Sequence, residues 1–352
     1  MKAAVLVSAI AVLSCLPAAP SHAQSPPATP TLNVTSSLTL IDVIAENKKT
    51  GRREALTDLK REDLRLWDNG HETPITSFDS GAKHATRAIA LWLIVQCNDA
   101  QPPGHHSMFM HGRTDLLKPA LAHLGADDAI GVAHWCDRGD AQIDLSLSRD
   151  SGETLAKVEE ILSEKPTSST ETRPGELAMQ RMIRLLLQDT NETFPQREPI
   201  LLFLHGDRCG THADEANSIA TDLHESSAIV YGMNDGASGS LYGVNDILSP
   251  FDSRKANPKV DIAPREGMTR QLVHYYSRET GGEVYSTSPK SFSDTLDHML
   301  LQLQLRYTIG FRPLKLDGKR HLLRVELTRE AHKRYPAAVL RFRTEYVAAT
   351  SP

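Results

Sequence analysis

The sequence predicts an α/β fold: a doubly wound, mainly parallel sheet with helices on both faces, flanked by β segments at both ends of the chain. Three observations carry this. Ala88–Val95 is an unbroken apolar run, the pattern of a strand buried on both faces. Further apolar runs, Ala129–Cys136 and Ile200–Leu204, alternate with amphipathic helical patterns, which implies a parallel sheet covered by helices. Outside Arg87–Leu305 the period falls to two, as where Leu323, Val325 and Leu327 alternate with Arg324 and Glu326.

In order along the chain, Lys2, the apolar Ala3–Leu16 and the small-x-small Ser21-His22-Ala23 give residues 1–23 the form of a signal peptide. The competing readings are a retained anchor, which needs a longer apolar run, and a lipoprotein signal at Cys15. Residues 24–34 are a linker rich in Pro, Ser and Ala. Residues 35–81 form an N-terminal β segment. Its strands are Leu38–Glu46, with Leu38, Leu40 and Val43 facing inward, and a hairpin of Leu64–Trp67 and Thr73–Phe78 around Asn69-Gly70.

Residues 85–305 are the α/β domain. After its first strand come a helix over Asp115–Leu124, strands at Ala129–Cys136 and Ile143–Leu147, and a helix from a capping box of Asp150 and Glu153 to Lys165. Helix Glu176–Gln188, strand Ile200–Leu204, helix Asp214–Glu225 and strand Ala228–Met233 follow. Asn234–Gly267 lacks periodicity, and loops of that length in compact domains are functional or disordered. Helix Thr269–Thr280 stops at Gly281-Gly282; a short strand, Glu283–Tyr285, and helix Ser291–Leu305 close the domain. Residues 306–348 return to β: Arg306–Phe311, His321–Thr328 after the Asp317-Gly318 turn, and Val339–Tyr346. Each β segment alone would leave open edges. The economical arrangement is one small β-sandwich, with Leu323, Val325, Leu327, Leu340 and Phe342 against Leu38, Leu40, Leu66 and Ile75; the alternative is two separate β patches.

Composition excludes some functions. The 352 residues carry a net charge of −5 and only 5% aromatics, so neither a basic field nor a stacking platform invites nucleic acid. No second run of 18 apolar residues follows the leader, so no membrane span is expected in the mature chain. No nucleophile elbow, H-E-x-x-H or P-loop appears, and acidic pairs are scattered. The expectation is a protein that is not an enzyme.

In open α/β sheets ligands bind outside the carboxyl ends of the strands. Gln96-Cys97-Asn98-Asp99-Ala100, which ends the first strand, is therefore the first candidate site. Cys97, Cys136, His205, Cys209 and His212 also follow strands, and thiolates with imidazoles suit Zn²⁺ or copper. A disulfide from Cys97 to Cys136 or Cys209, and inert thiols, are the alternatives, since an exported chain meets oxidising conditions. His105, His106 and His111 form a solvated loop or a weaker metal site.

Three segments carry a family resemblance. They are Leu56-Thr57-Asp58-Leu59-Lys60-Arg61-Glu62-Asp63-Leu64 with Trp67-Asp68-Asn69-Gly70; Glu279-Thr280-Gly281-Gly282; and Arg306-Tyr307-Thr308-Ile309-Gly310-Phe311 with Asp317-Gly318-Lys319. In this order the chain resembles the von Willebrand factor type A (VWA) proteins, in particular the VWFA-related family of secreted bacterial proteins. The resemblance implies strand order 3-2-1-4-5-6, and a metal-ion-dependent adhesion site that holds Mg²⁺ through hard oxygen ligands. This chain departs from that site throughout. Gln96 stands for the first Asp, Asn98 and Ala100 for the two Ser, Thr172 only loosely for the Thr, and Gly206 for the later Asp, with Asp207 one step late. Asp99 and Asp207 are the carboxylates left to bind Mg²⁺. The resemblance therefore implies an exported (periplasmic, cell-surface or secreted) protein-binding or adhesion-type module whose adhesion site is degenerate. No cofactor is expected, with Mg²⁺ or Zn²⁺ as alternatives, and the partner is an unidentified protein. Two further readings are a hydrolytic or redox protein using the Cys/His set, and a structural component of a cell-surface assembly.

Overall fold

A computed structural model describes residues 38–49, 52–80, 88–96, 114–122, 124–135, 141–163, 175–204, 213–234, 272–288 and 290–350. The leader, the linker and most of the Asn234–Gly267 loop lie outside the described residues.

The N-terminal segment forms β1 (Thr39–Lys49), β2 (Arg52–Ala55), β3 (Leu64–Asp68), β4 (His71–Thr73) and β5 (Ile75–Ser80). Asn69 and Gly70 join β3 to β4 at φ 49° and 83°, the left-handed pair that a two-residue hairpin requires. Next come β6 (Ile89–Gln96), α1 (Lys118–Leu121), β7 (Ala129–Trp135), β8 (Ala141–Ser148), α2 (Ser151–Ser163), α3 (Gly175–Thr193), β9 (Glu198–Leu204), α4 (Ala213–Glu225) and β10 (Ile229–Asn234). The chain continues through α5 (Leu272–Thr280), β11 (Val284–Ser286), α6 (Phe292–Gln304), β12 (Tyr307–Phe311), β13 (Arg320–Leu327), α7 (Arg329–Arg334), β14 (Ala338–Phe342) and β15 (Glu345–Val347).

The six-stranded sheet runs β11-β10-β9-β6-β7-β8. Numbered within the domain from β6, this is the order 3-2-1-4-5-6, parallel except for β8, which runs antiparallel to β7. The fold is VWA-like on that order. Each face has its own apolar cluster. Leu91, Leu93 and Val95 meet Leu296, Met299 and Leu300 of α6 on one face. Ala90, Trp92 and Ile94 meet Met182, Ile183 and Leu186 of α3 on the other. Alternate side chains thus enter opposite cores, and for this reason the run shows no polar alternation. Gly131 leaves room for the Trp92 ring, since a Cβ there would come within 2.3 Å of it.

The β segments interleave. One sheet runs β14-β1-β12-β5, with β2 on β1; the other runs β15-β13-β3-β4. Both therefore mix N-terminal and C-terminal strands. Ile41, Val43, Leu66, Ile309, Phe311, Leu323, Val325 and Leu340 share one apolar cluster. The quoted motifs touch there: the Tyr307 hydroxyl accepts from Leu59 N at 3.0 Å and donates to Leu56 O at 2.8 Å.

Several expectations are corrected. Leu38 and Leu40 are 39% and 46% exposed, and the inward positions of β1 are Ile41, Val43 and Ala45. The even positions further along β1 are buried as well, with Ile44 in the α6 cluster, so β1 has two buried faces and no alternation to read. The strand expected over Val339–Tyr346 is two: β14 pairs with β1 and β15 with β13. The chain changes sheets at Arg343-Thr344, where Thr344 N donates to Glu279 O at 3.0 Å and Arg343 Nη1 to His224 O at 3.1 Å. The helix over Asp115–Leu124 shrinks to a 3₁₀ turn and the single turn of α1, with Pro119 inside it. Only half of the capping box forms: Asp150 accepts from Gly152 N and Glu153 N, while the Glu153 side chain accepts from Ser148. The short α7, capped by Thr328, was not expected.

Candidate functional site

The two ends of the parallel strands have different neighbours. At the amino-terminal edge, Arg306 donates to Asp42 at 3.1 Å and to Glu198, the first residue of β9, at 2.7 Å, all three nearly enclosed. Burial, with Asp42 nearby, pushes the Glu198 carboxyl up to about 7. Arg341 of β14 pairs with Glu283, just before β11, and donates to Gln302 of α6, which in turn donates to Glu46 of β1. Thr280 Oγ1 accepts from Val230 N in β10 at 2.9 Å. Gly281 follows at φ 83°, and a Cβ on Gly282 would stand 1.9 Å from the Val230 carbonyl oxygen. The Glu-Thr-Gly-Gly motif is therefore a junction as well as a helix stop. His224 at the end of α4 is buried; among the described residues neither ring nitrogen is hydrogen-bonded, Glu279 Oε2 lies 4.0 Å from Nε2, and burial, with Arg343 and Arg320 nearby, drives its pKa down to about 3. Every one of these ties uses residues at the start of β9, β10 or β11, or at the ends of the helices that precede or follow them. The interleaved β strands are fastened there.

At the carboxyl-terminal edge four parallel strands end in register. Gln96 pairs with Trp135, Val95 with Leu204, and Leu204 with Met233. The sequence candidates follow these ends. Gln96 closes β6, but its side chain lies outside the described residues, as do Cys97, Asn98, Asp99, Ala100, Cys136, Thr172, His205, Gly206, Asp207, Cys209 and His212. His105, His106 and His111 lie outside them too. Among the described residues, no three His, Cys, Asp or Glu side chains gather as a metal site.

One described pair at this edge escaped the sequence reading. His134, the penultimate residue of β7, places Nδ1 2.9 and 2.8 Å from the two oxygens of Asp144 on β8, and Gln142 Nε2 donates to Asp144 Oδ1 at 2.9 Å. The imidazole within an apolar strand was the available signal. Its partner was hidden by register shifts between β7 and β8. Elsewhere, Asp68 is enclosed by His321, Tyr346 and Leu314 N, a polar knot of the β strands.

No family model and no curated protein matches the chain. Among solved structures it is similar to an aerotolerance-related membrane protein from Bacteroides fragilis, at 14% identity over 61% of this chain and 98% of that one, TM-score 0.39. It is similar to a von Willebrand factor type A protein from Catenulispora acidiphila, at 10% identity over 84% and 75%, TM-score 0.40. A third is the manganese-loaded TRAP protein of Plasmodium vivax, at 10% identity over 82% and 100%, TM-score 0.39. The VWA-like assignment rests on strand order and direction.

Proposed function

We propose that the chain is an exported, non-catalytic protein-binding module that recognises its partner at the carboxyl-terminal edge of the six-stranded sheet, with a degenerate adhesion site. One observation carries the reading: the interleaved β strands are tied to the amino-terminal edge, and four parallel strands end together at the opposite edge, where open α/β sheets take ligands. Gln96 and Ala100 replace an oxygen anion and a hydroxyl of the adhesion pattern, so Mg²⁺ loses much of its hard ligand set and recognition falls to direct contacts. Export follows from residues 1–23, and no helix among the described residues is long and apolar enough to cross a membrane.

The test has two arms. A ligand that binds only the native state raises its melting temperature. Millimolar Mg²⁺ should leave it unchanged; a rise abolished by Asp207→Ala would restore a working adhesion site. Capture from the native envelope fraction should yield a partner that Asn98→Arg with Asp99→Arg loses and that Leu40→Arg, on the β sheet, retains. The opposite pattern would move recognition to the β strands.

A further inference from the structure

We infer that the end of the interleaved β sheets, away from the parallel sheet, docks on an anionic lipid surface: Leu38, Leu40, Leu314 and Leu322 enter the headgroup layer, and Arg312, Lys315 and Lys319 meet its phosphates. The inference uses no residue at the carboxyl-terminal edge and is independent of the protein-binding reading.

Position comes first. Six large apolar side chains are exposed among the described residues, all leucines, and four of them share this end. Leu40 pairs with Gly310 of β12 and Leu38 lies beside it; their methyl carbons stand 3.0 and 3.3 Å from where a Cβ on Gly310 would be. β12 stops at Phe311, and three residues later Leu314 N donates to Asp68, at the end of β3, at 3.2 Å. The next residue, Asn69, holds Leu322 by two hydrogen bonds of 2.9 Å. Leu314 and Leu322 are each more than half exposed. Leu40 stands on the outer side of one sheet and Leu322 on that of the other, since Ile41 and Leu323 fill the cluster between them. The leucines therefore ring the end of the two sheets, and the junction with the α/β domain begins only at Asp42.

Charge decides the occupant. The stretch from Arg312 to Arg320 carries four cations and one carboxylate in a chain whose net charge is −5. Arg320 pairs with Glu345. The carboxylate, Asp317, accepts from Lys319 N at 3.0 Å and faces His321. Arg312, Lys315 and Lys319 are exposed and form no ion pair among the described residues. Exposed leucines beside cations match a bilayer, whose interface buries apolar groups while Lys and Arg reach up to the phosphates. Protein interfaces are built otherwise. Their centres are depleted of Lys and rich in aromatic residues, and no Phe, Tyr or Trp among the described residues is exposed.

The experiment sediments the mature chain, from Gln24, with vesicles of mixed phosphatidylglycerol and phosphatidylcholine, and with vesicles of phosphatidylcholine alone. The wild type should sediment with the anionic vesicles, be released at high salt, and ignore the neutral ones. Leu314→Ser with Leu322→Ser, and separately Lys315→Glu with Lys319→Glu, should each lower the vesicle partition coefficient by about tenfold or more. Leu185→Ser with Leu301→Ser, on exposed leucines of α3 and α6, should leave it unchanged. Each variant alters exposed side chains only, so each should melt as the wild type does. Equal binding to neutral vesicles, or a loss no greater in the end variants than in the helix variant, overturns the proposal. A wild type that stays in the supernatant overturns it too. If that protein then self-associates through Leu314 and Leu322, the end serves a second copy of the chain instead.

Discussion

At the amino-terminal edge of the parallel sheet, three charged side chains, Asp42, Glu198 and Arg306, are almost sealed from water. At the carboxyl-terminal edge, His134 and Asp144 form a pair whose imidazole is 16% exposed. The same strands supply both edges. At the first edge Asp42, Glu198 and Arg306 are consumed by one another, and charge there serves attachment. At the second, the described polar pair stands at the strand end and reaches solvent through the imidazole. Buried charge alone does not mark function.

The sharpest way to break this comparison is Arg306→Met. It leaves Asp42 and Glu198 enclosed without their cation, and breaking one side of a buried ion pair costs about 3–5 kcal/mol. Chemical denaturation should report a loss of that order, whereas His134→Gln at the opposite edge should cost far less. A small loss at Arg306 would mean that water reaches the cluster.

Gly282→Ala should come next. The added Cβ collides with the Val230 carbonyl, and relieving such overpacking costs about 1–3 kcal/mol or more. The drop should appear in the melting temperature together with faster proteolysis of the Arg306–Val347 strands, because the junction of α5 with β10 and β14 is what moves.

pH sharpens the contrast further. Glu198 has a folded pKa raised from 4.5 to about 7, so its stabilising effect is complete below pH 4.5 and is lost as pH rises through 7. His224, lowered from 6.5 to about 3, acts oppositely: its contribution is complete above pH 6.5 and is lost as pH falls toward 3. Glu198→Gln should therefore flatten the alkaline side of a stability–pH curve between 4.5 and 7 and leave the acid side intact. A curve unchanged by that substitution would remove Glu198 as its source.

The last test separates two neighbours, and the smallest expected effect of all is at Leu40. Ile41→Ala should cost about 2–5 kcal/mol as a buried large-to-small change, whereas Leu40→Ala, on an exposed side chain, should stay within about 0.5 kcal/mol. Equal losses would show that Leu40 is covered in solution.

The fold was largely legible because its strongest signals are long. Eight apolar residues over Ala88–Val95 and the stripe of Phe292, Leu296, Met299, Leu300 and Leu303 each have one structural reading, and each formed. Legibility failed where an element serves two neighbours. β1 buries Ile41 and Val43 on one face and Ile44 and Glu46 on the other, so no period-two pattern could assign its sides. It failed again where one apparent strand crosses between sheets at Arg343-Thr344, since both halves alternate alike. At the site, the strand ends could be read from where the apolar runs stop. Asp144 could not, because only the antiparallel return of β8, with its shifted register, brings it to His134.

The interleaving of β1 with β12 has a consequence for the order of assembly. Asp42 meets Arg306 across 264 residues of chain. During synthesis, β1 emerges before β12 and must wait, with its apolar positions unpaired, until nearly the whole chain has followed. Closing so long a loop is slow, and waiting strands invite association with other chains. The α/β core, whose contacts are more local, can form meanwhile and act as the template on which the first and last strands finally meet. β1 thus finds its partners only once β12 and β14 are made.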